Sequence, residues 1–303
     1  MFRRLVTVML LVWSTGFSLA SIQGSIKGTV SDERGKPIEG VKVTIASMEF
    51  TSLNLVVRTD KRGQFIEISV QPGYYQIKMQ KNGYLPQVLE TRIGGRQTLE
   101  VDFSLEEGQH TVSESFGEQD FKTGNECVAK GKFEEAVKSY KEAVAKEPDE
   151  PIYYNNLGIA YLNLEKLDEA LEVYRKMLEI QPRSYSAHKM IGELYSIKKE
   201  YRQALPFFTR AAALSPDDPE AFYNLGLCLM SMGASSQSLD EFKRALELKP
   251  NYPMAYYQTG MVYVNQNRKE EAIRNLEKFL ELAPNDSHSD VAREIIKYLK
   301  TTG

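Results

Sequence analysis

Residue types that support catalysis are few in this sequence, and none stands in a catalytic spacing. The three histidines, His110, His188 and His288, lie far apart, and none begins a His-x-x-Glu or His-Glu-x-x-His motif. The chain also has no Gly-x-Ser-x-Gly elbow, no phosphate-binding loop and no Cys-x-x-Cys pair. We therefore predict that the protein is not an enzyme and that it uses no metal or cofactor.

The charge balance is mildly acidic. With 38 basic and 41 acidic residues the formal charge is −3, and loss of Arg3 and Arg4 with a leader would make it −5. Most carboxylates fall at outward positions of helical segments, where a solvated face is expected rather than an acid–base pair. A net negative chain is a poor ligand for nucleic acid, so we expect no such partner.

Residues 1–20 have the organisation of a secretory signal peptide. Arg3 and Arg4 precede an apolar run from Leu5 to Trp13, and Ser18-Leu19-Ala20 places small residues before a cleavage site. We predict export, to a periplasm or outside the cell, with cleavage after Ala20. The alternative is an uncleaved anchor, but the run is short for a span of roughly 20 apolar residues. Because no later stretch could span a membrane, the expected association with one is peripheral at most.

The segment from Phe116 to Thr302 repeats with a period of 34 residues. Three series of residues carry the period: Gly124, Gly158, Gly192, Gly226 and Gly260; Ala136, Ala170, Ala204, Ser238 and Ala272; and Pro148, Pro182, Pro216, Pro250 and Pro284. A period of this length built from two helical patterns resembles the tetratricopeptide repeat family. The resemblance implies five copies within residues 116–286, at 117–150, 151–184, 185–218, 219–252 and 253–286. Residues 287–303 are then a capping helix and tail.

One copy shows why these residue types recur. Phe222, Leu225 and Leu229 are spaced by three and four residues, as on one face of a helix, and Gly226 lies on that face. A second helix follows and ends before Pro250, which cannot continue it. Small residues allow the two helices to cross closely. The apolar face left by each pair is covered by the next copy, so we predict an all-α solenoid.

The first helix of each copy also carries a second row of residues, which we call the first-helix stripe. It comprises Glu118, Phe121, Asn125 and Val128; Ile152, Asn155, Ile159 and Leu162; Ser186, Lys189, Glu193 and Ser196; Glu220, Tyr223, Leu227 and Met230; and Met254, Tyr257, Met261 and Val264. In the tetratricopeptide family this row lines a concave groove, so the resemblance implies that it binds a protein segment.

Seven residues of the stripe are the predicted contacts of a bound peptide: Asn155, Ile159, Lys189, Tyr223, Leu227, Tyr257 and Met261. Aromatic and Met side chains on a groove wall are typical anchors for an extended peptide or a helix. The alternative is that part of this row packs on the neighbouring helix as core. The family's carboxylate clamp needs more basic and amide residues than Asn155 and Lys189, so recognition of a chaperone's terminal carboxylate is not expected.

Residues 21–105 follow a different pattern. Alternating apolar runs such as Val41-Val43-Ile45 and Tyr75-Ile77-Met79 are separated by turns rich in Gly and Pro every eight to twelve residues. This pattern favours an all-β sandwich of about seven strands. We place the strands near 24–31, 41–48, 53–59, 64–70, 74–81, 86–92 and 97–105, and treat the polar residues 106–115 as a linker.

The β region resembles the carboxypeptidase regulatory-like domain, a transthyretin-like sandwich. The resemblance rests on Gly28-Thr29-Val30-Ser31-Asp32, on Gly35 with Pro37-Ile38, on Gly40-Val41-Lys42-Val43, and on Pro72-Gly73-Tyr74-Tyr75. It implies a non-catalytic accessory module with roles suggested in docking, adhesion or carbohydrate contact.

Together these features predict an exported, non-catalytic adaptor or scaffold that binds a protein segment in the groove of its repeats. The alternative is a carbohydrate- or cell-wall-binding protein, in which the sandwich carries the specificity and the repeats form a stalk or an oligomerisation element. A lattice or outer-membrane assembly factor is a third possibility, which differs only in its partner.

Overall fold

The computed structural model describes residues 23–49, 54–108 and 117–301. The predicted signal peptide and most of the predicted linker lie outside these ranges. The described residues divide into two compact units. The β unit holds residues 23–45 and 55–108, and the helical unit holds residues 46–49, 54 and 117–301.

The described strands form two sheets, as the sequence pattern predicts. They are β1 (Gly24–Asp32), β2 (Lys42–Ser47), β3 (Asn54–Arg58), β4 (Gln64–Val70), β5 (Gly73–Gln80), β6 (Gln87–Ile93) and β7 (Thr98–Leu105). One sheet has the order β4-β1-β7 and the other the order β3-β2-β5-β6. β1 runs antiparallel to β4 and parallel to β7, and β5 pairs antiparallel with β6.

Alternation along the strands places the apolar residues in the core of the β unit. Ile26 and Val30 of β1, Val43 of β2, and Tyr75 and Ile77 of β5 have no exposed surface. Successive side chains of a strand point to opposite faces, so the runs noted in the sequence supply one buried face per strand. Thr59 connects the end of β3 to the segment before β2. Its hydroxyl donates a hydrogen bond to the Ile38 carbonyl at 2.7 Å and accepts one from the Val41 amide at 2.9 Å.

The helical unit follows the predicted repeat, with two helices in each copy. The helices are α1 (Glu118–Ala129), α2 (Phe133–Lys146), α3 (Pro151–Asn163), α4 (Leu167–Ile180), α5 (Tyr185–Ile197), α6 (Tyr201–Leu214), α7 (Pro219–Ser231), α8 (Ser235–Leu248), α9 (Pro253–Asn265), α10 (Lys269–Leu282) and α11 (Ser289–Thr301). Odd-numbered helices up to α9 are the first helices of the repeats. The predicted capping helix is α11.

The recurrent glycines stand where the two helices of a repeat approach most closely. A Cβ atom built at Gly158 would lie 2.5 Å from Cζ of Tyr174, and one at Gly226 would lie 2.6 Å from Cε1 of Phe242. Real Cβ atoms do not make such short contacts, so a large side chain from the second helix fills the space that each glycine leaves. The recurrent small residues, such as Ala170 and Ser238, are fully buried in the same seam.

The last helix completes the stack. Ala292, Ile296 and Leu299 of α11 are at most 9% exposed, whereas Tyr298 on its outer face is 65% exposed. This division into a buried and a solvated face is what a terminal repeat requires for solubility. Cys127 and Cys228, which lie in separate repeats, are both free thiols; Cys228 is buried, and Cys127 keeps part of its surface exposed.

Candidate binding site

The seven predicted peptide contacts lie on α3, α5, α7 and α9, and the structure gives them different surroundings. Asn155 has no exposed surface and Tyr257 is 8% exposed, whereas the other five are partly exposed. The five are Ile159, Lys189, Tyr223, Leu227 and Met261. The stripe is therefore a mixture of surface and packing positions, which is the alternative that the sequence left open for part of it.

Asn155 lies at the centre of a buried chain of hydrogen bonds that crosses three repeats. Its Nδ2 donates to the Met48 carbonyl oxygen at 3.0 Å and to Oδ1 of Asn156 at 3.2 Å. Its Oδ1 accepts from the Ser186 hydroxyl at 3.2 Å. Since a buried amide without partners is costly, these bonds hold the Asn155 side chain in one orientation.

The neighbouring amides extend this chain toward the first repeat. Asn156 Nδ2 donates to Oδ1 of Asn125 at 3.0 Å, and the Tyr140 hydroxyl donates to the same oxygen at 2.7 Å. Burial raises the pKa of Tyr140 above its ordinary value, so the hydroxyl keeps its proton and remains a donor. The first three repeats thus share one polar network.

Lys189 of α5 is the basic residue of a cluster of charged side chains. Its Nζ lies 3.0 Å from Oε1 of Glu220 and 3.9 Å from Oε1 of Glu193, and Glu49 also acts on it electrostatically. Burial opposes the charged form of Lys189, but the three carboxylates outweigh it and raise the pKa of the ammonium. Lys189 therefore carries its charge at neutral pH.

The same cluster raises the pKa of the Glu193 carboxyl. Burial is the largest cause, Lys189 opposes it, and repulsion from Glu220 and Glu49 adds to it. One ammonium thus faces three carboxylates, and the cluster as a whole is acidic. One of the four groups, Glu49, comes from a distant part of the chain.

Tyr223 of α7, in the fourth repeat, packs in a cluster of aromatic side chains. Its ring centroid lies 5.1 Å from that of Tyr252 and 5.8 Å from that of Phe242. The Tyr223 side chain is also hydrogen-bonded to Gln258, and burial is the main reason that its pKa is raised. The ring retains partial exposure, so Tyr223 can offer an edge to a ligand while the rest of it packs.

Tyr257, Leu227 and Met261 pack mainly within the helical unit. The Tyr257 ring lies 5.1 Å from Phe279 and 4.8 Å from His288, whose Nδ1 is 2.7 Å from Oδ1 of Asp286. Leu227 contacts the buried cluster around Phe242, and Met261 contacts the one around Phe279. The surface that these three residues offer to a ligand is smaller than their size suggests.

Sequence reasoning missed Met48 and Glu49. Met48 is the last residue of the predicted second strand, 41–48, and Glu49 directly follows it; neither belongs to a period, motif or charge run that would mark it. In the structure residues 46–49 belong to the helical unit, Met48 is 3% exposed, and its carbonyl accepts the bond from Asn155. Asn156 was also missed, because it lies beside the stripe and not on it.

Within residues 23–49, 54–108 and 117–301, no three His, Cys, Asp or Glu side chains are grouped so that they could hold a metal ion. In the same part of the chain no helix combines the length and the apolar character needed to cross a bilayer.

Family models match most of the described chain. Residues 25–106 match the carboxypeptidase regulatory-like domain. Residues 124–165 match a model described as a TPR repeat and residues 151–184 one described as a tetratricopeptide repeat. Residues 197–279 match the model for anaphase-promoting complex, cyclosome, subunit 3. No curated protein matches the sequence.

Two structures of MamA have a fold similar to part of this chain. A crystal structure of MamA has 26% identity and a TM-score of 0.51, and the alignment covers 53% of this chain and 94% of that one. MamA from Desulfovibrio magneticus RS-1 has 24% identity and a TM-score of 0.54 over 58% of this chain and 99% of that one.

A third similar structure is YrrB, described as a TPR protein with an unusual peptide-binding site. It has 23% identity and a TM-score of 0.53, with 60% of this chain and 94% of YrrB covered. The shared coverage is close to the length of the helical unit. The family matches agree with the observed two sheets and paired helices. The chain therefore consists of a carboxypeptidase regulatory-like domain followed by tetratricopeptide repeats.

Proposed function

We propose that this protein is an exported, non-catalytic adaptor that binds a protein segment along the first-helix stripe of its repeats. The observation that carries the proposal is the Asn155 side chain, whose amide already donates to a main-chain carbonyl, that of Met48. A side chain that is oriented by Asn156 and Ser186 and aimed at a peptide carbonyl suits recognition of extended polypeptide, since main-chain groups are present in every partner.

The partly exposed members of the stripe supply the rest of such a site. Ile159 and Tyr223 offer apolar and aromatic surface, and Lys189 with Glu193 and Glu220 offers charges of both signs. Apolar anchors give binding free energy, and charged groups select among partners. YrrB, which shares the fold, is described as having a peptide-binding site, and this agrees with the proposal at the level of the fold.

A matched pair of variants tests this function. Full-length wild-type protein, Ile159→Lys and Ile197→Lys are immobilised, and bound proteins are compared by mass spectrometry after incubation with an envelope extract. Ile159 lies on the stripe and Ile197 is 54% exposed at the end of α5, off the stripe. A charge introduced into an apolar part of a binding interface weakens the affinity for the partner by roughly tenfold or more. We expect Ile159→Lys to lose captured proteins that Ile197→Lys retains.

Two results would contradict the proposal. If both variants retain the same proteins, the stripe is not the binding surface. If the wild type retains only glycans, and these are unaffected by either substitution, the specificity belongs to the sandwich and the carbohydrate-binding alternative replaces the adaptor. Circular dichroism of the three proteins establishes that each is folded before it is compared.

A further inference from the structure

A short segment of the chain, residues 46–49, belongs to the helical unit, although its first two residues are the last two of strand β2. Ala46, Ser47 and Met48 are between 2% and 4% exposed. The Met48 carbonyl accepts the hydrogen bond from Asn155 Nδ2, across a sequence separation of 107 residues. One of the predicted peptide contacts is therefore occupied by a peptide group from this same chain.

Residue 49 brings a charge to the same place. Glu49 acts electrostatically on both Lys189 and Glu193, so it stands near the cluster that also includes Glu220. Without Glu49, the cluster consists of two carboxylates and one ammonium. A carboxylate attracts a nearby cation, and the attraction strengthens as the local dielectric constant falls from that of water toward that of a protein interior. A basic side chain next to the bound carbonyl would therefore suit this site better than Glu49 does.

We propose that residues 46–49 are an internal ligand of the stripe at the second and third repeats, and that an extended partner segment with a basic residue in the place of Glu49 displaces them. This rests on the proposed function, because it identifies the chemistry of the segment that the stripe binds. The partner presents a main-chain carbonyl to Asn155, as Met48 does, and a Lys or Arg side chain to Glu193 and Glu220.

Attachment to the same chain gives the internal ligand an advantage over any free segment. A tethered ligand acts at an effective concentration in the millimolar range, so a free peptide of the same sequence competes poorly with it. Weakening the internal ligand, without touching the stripe, should therefore expose the site to a free peptide. This competition can be measured without knowing the natural partner.

The probe is a fluorescein-labelled synthetic peptide with the sequence of residues 42–49, used together with the same peptide carrying Glu49→Lys. Both are titrated by fluorescence polarisation against the full-length protein and against full-length Met48→Lys, which places a charge where the buried Met48 side chain lies. We expect both peptides to bind Met48→Lys at least about tenfold more tightly than wild type, and the Glu49→Lys peptide to bind more tightly than the native one.

Two controls assign the effect to this site. Glu33→Lys, an equally basic change at an exposed turn of the β unit, should leave peptide affinity at the wild-type value. Asn155→Ala, added to Met48→Lys, should return the affinity to the wild-type value or below it. Equal peptide affinity of wild type and Met48→Lys would contradict the proposal that residues 46–49 compete for the site. Peptide binding that is unchanged by Asn155→Ala would show that the peptide binds elsewhere. Tighter binding of the native peptide than of the Glu49→Lys peptide would contradict the proposal that the partner has a basic residue in the place of Glu49.

If Met48→Lys does not fold, Met48→Ala serves in its place, with hydrogen exchange of residues 46–49 as a second measurement. Faster exchange together with tighter peptide binding supports the internal ligand, and unchanged exchange contradicts it. The proposed function has a separate test: if Ile159→Lys loses its captured proteins while the peptide experiment fails, the stripe binds partners but residues 46–49 do not compete with them.

Discussion

The glycines of the repeats act through the side chains that cover them. Each lies on a first helix, and the residue sixteen positions later, Tyr140, Tyr174, Phe208, Phe242 or Leu276, fills the space above it. In an isolated helix Ala is about 1 kcal/mol more favourable than Gly. The structure reverses this preference, because a methyl group has no room at these positions.

Gly158→Ala is expected to lower the free energy of unfolding by about 1–2 kcal/mol, since overpacking against Tyr174 outweighs the gain in helix propensity. Urea unfolding monitored by circular dichroism measures the change. Gly158→Ala combined with Tyr174→Leu should be less destabilised than the sum of the two single variants. Additive losses, or a stabilised Gly158→Ala, would show that the close approach is not what selects glycine.

Glu193 should make the stability of the folded protein depend on pH, and replacing it with a neutral side chain should remove this contribution. Its pKa is raised above 4.5 in the folded state by burial, and by Glu220 and Glu49 against the opposing effect of Lys189. Between 4.5 and the raised value the folded state holds a proton that the unfolded state has lost, so stability increases as the pH falls through this window.

The comparison is between wild type and Glu193→Gln, with the exposed Glu142→Gln as the control. Thermal unfolding is followed at intervals from about pH 7 down to pH 4.5. Wild type and Glu142→Gln should gain more in melting temperature over this range than Glu193→Gln does. Three parallel profiles would mean that the Glu193 carboxyl has an ordinary pKa in the folded protein.

At the scale of elements, the strands and helices agree closely with the periodicities. The second strand was expected near 41–48 and is Lys42–Ser47, and the last helix was expected from Ser287 to Leu299 and is Ser289–Thr301. Local alternation and helical spacing determine such elements because each depends on neighbouring residues. The ends shift by one or two residues, as helix and strand ends do.

The capping helix α11 stabilises the last repeat through one face. Ile296 is 8% exposed and contacts the cluster around Leu276 and Phe279, whereas Tyr298 points away and is 65% exposed. Ile296→Ala should therefore cost about 2–3 kcal/mol of unfolding free energy and Tyr298→Ala less than about 0.5 kcal/mol. Urea unfolding of both variants measures this, and similar losses would mean that α11 is not held by its apolar face.

At the scale of the whole molecule, we predict that export depends on residues 1–20, which lie outside the described residues. We expect the protein recovered from its native host to begin at Ser21, because the small residues Ser18 and Ala20 suit a signal peptidase. Intact-mass spectrometry with amino-terminal sequencing measures this. A protein that keeps Arg3 and Arg4 would argue for an anchored or unexported form. The control is a variant with Ala20→Arg, in which processing should be blocked.

The candidate site was predictable only in part. Helical spacing places Asn155, Lys189 and Tyr223 on one row, and all three take part in polar or aromatic groups of the helical unit. Spacing does not say how much of Tyr257 or Leu227 remains exposed. That depends on which residues of the next helices reach them, here Phe279 and His288 for Tyr257 and the Phe242 cluster for Leu227.

The sequence by itself determined the two domains, the period of 34 residues and the reason for each recurrent glycine, because all of these follow from residues close together in the chain. Only the tertiary structure decided that Met48 and Glu49 meet Asn155 and the Lys189 cluster. A contact between residues 107 positions apart depends on the packing of elements already formed. No local pattern of residue types records such a contact, because its free energy arises only when the two segments are brought together.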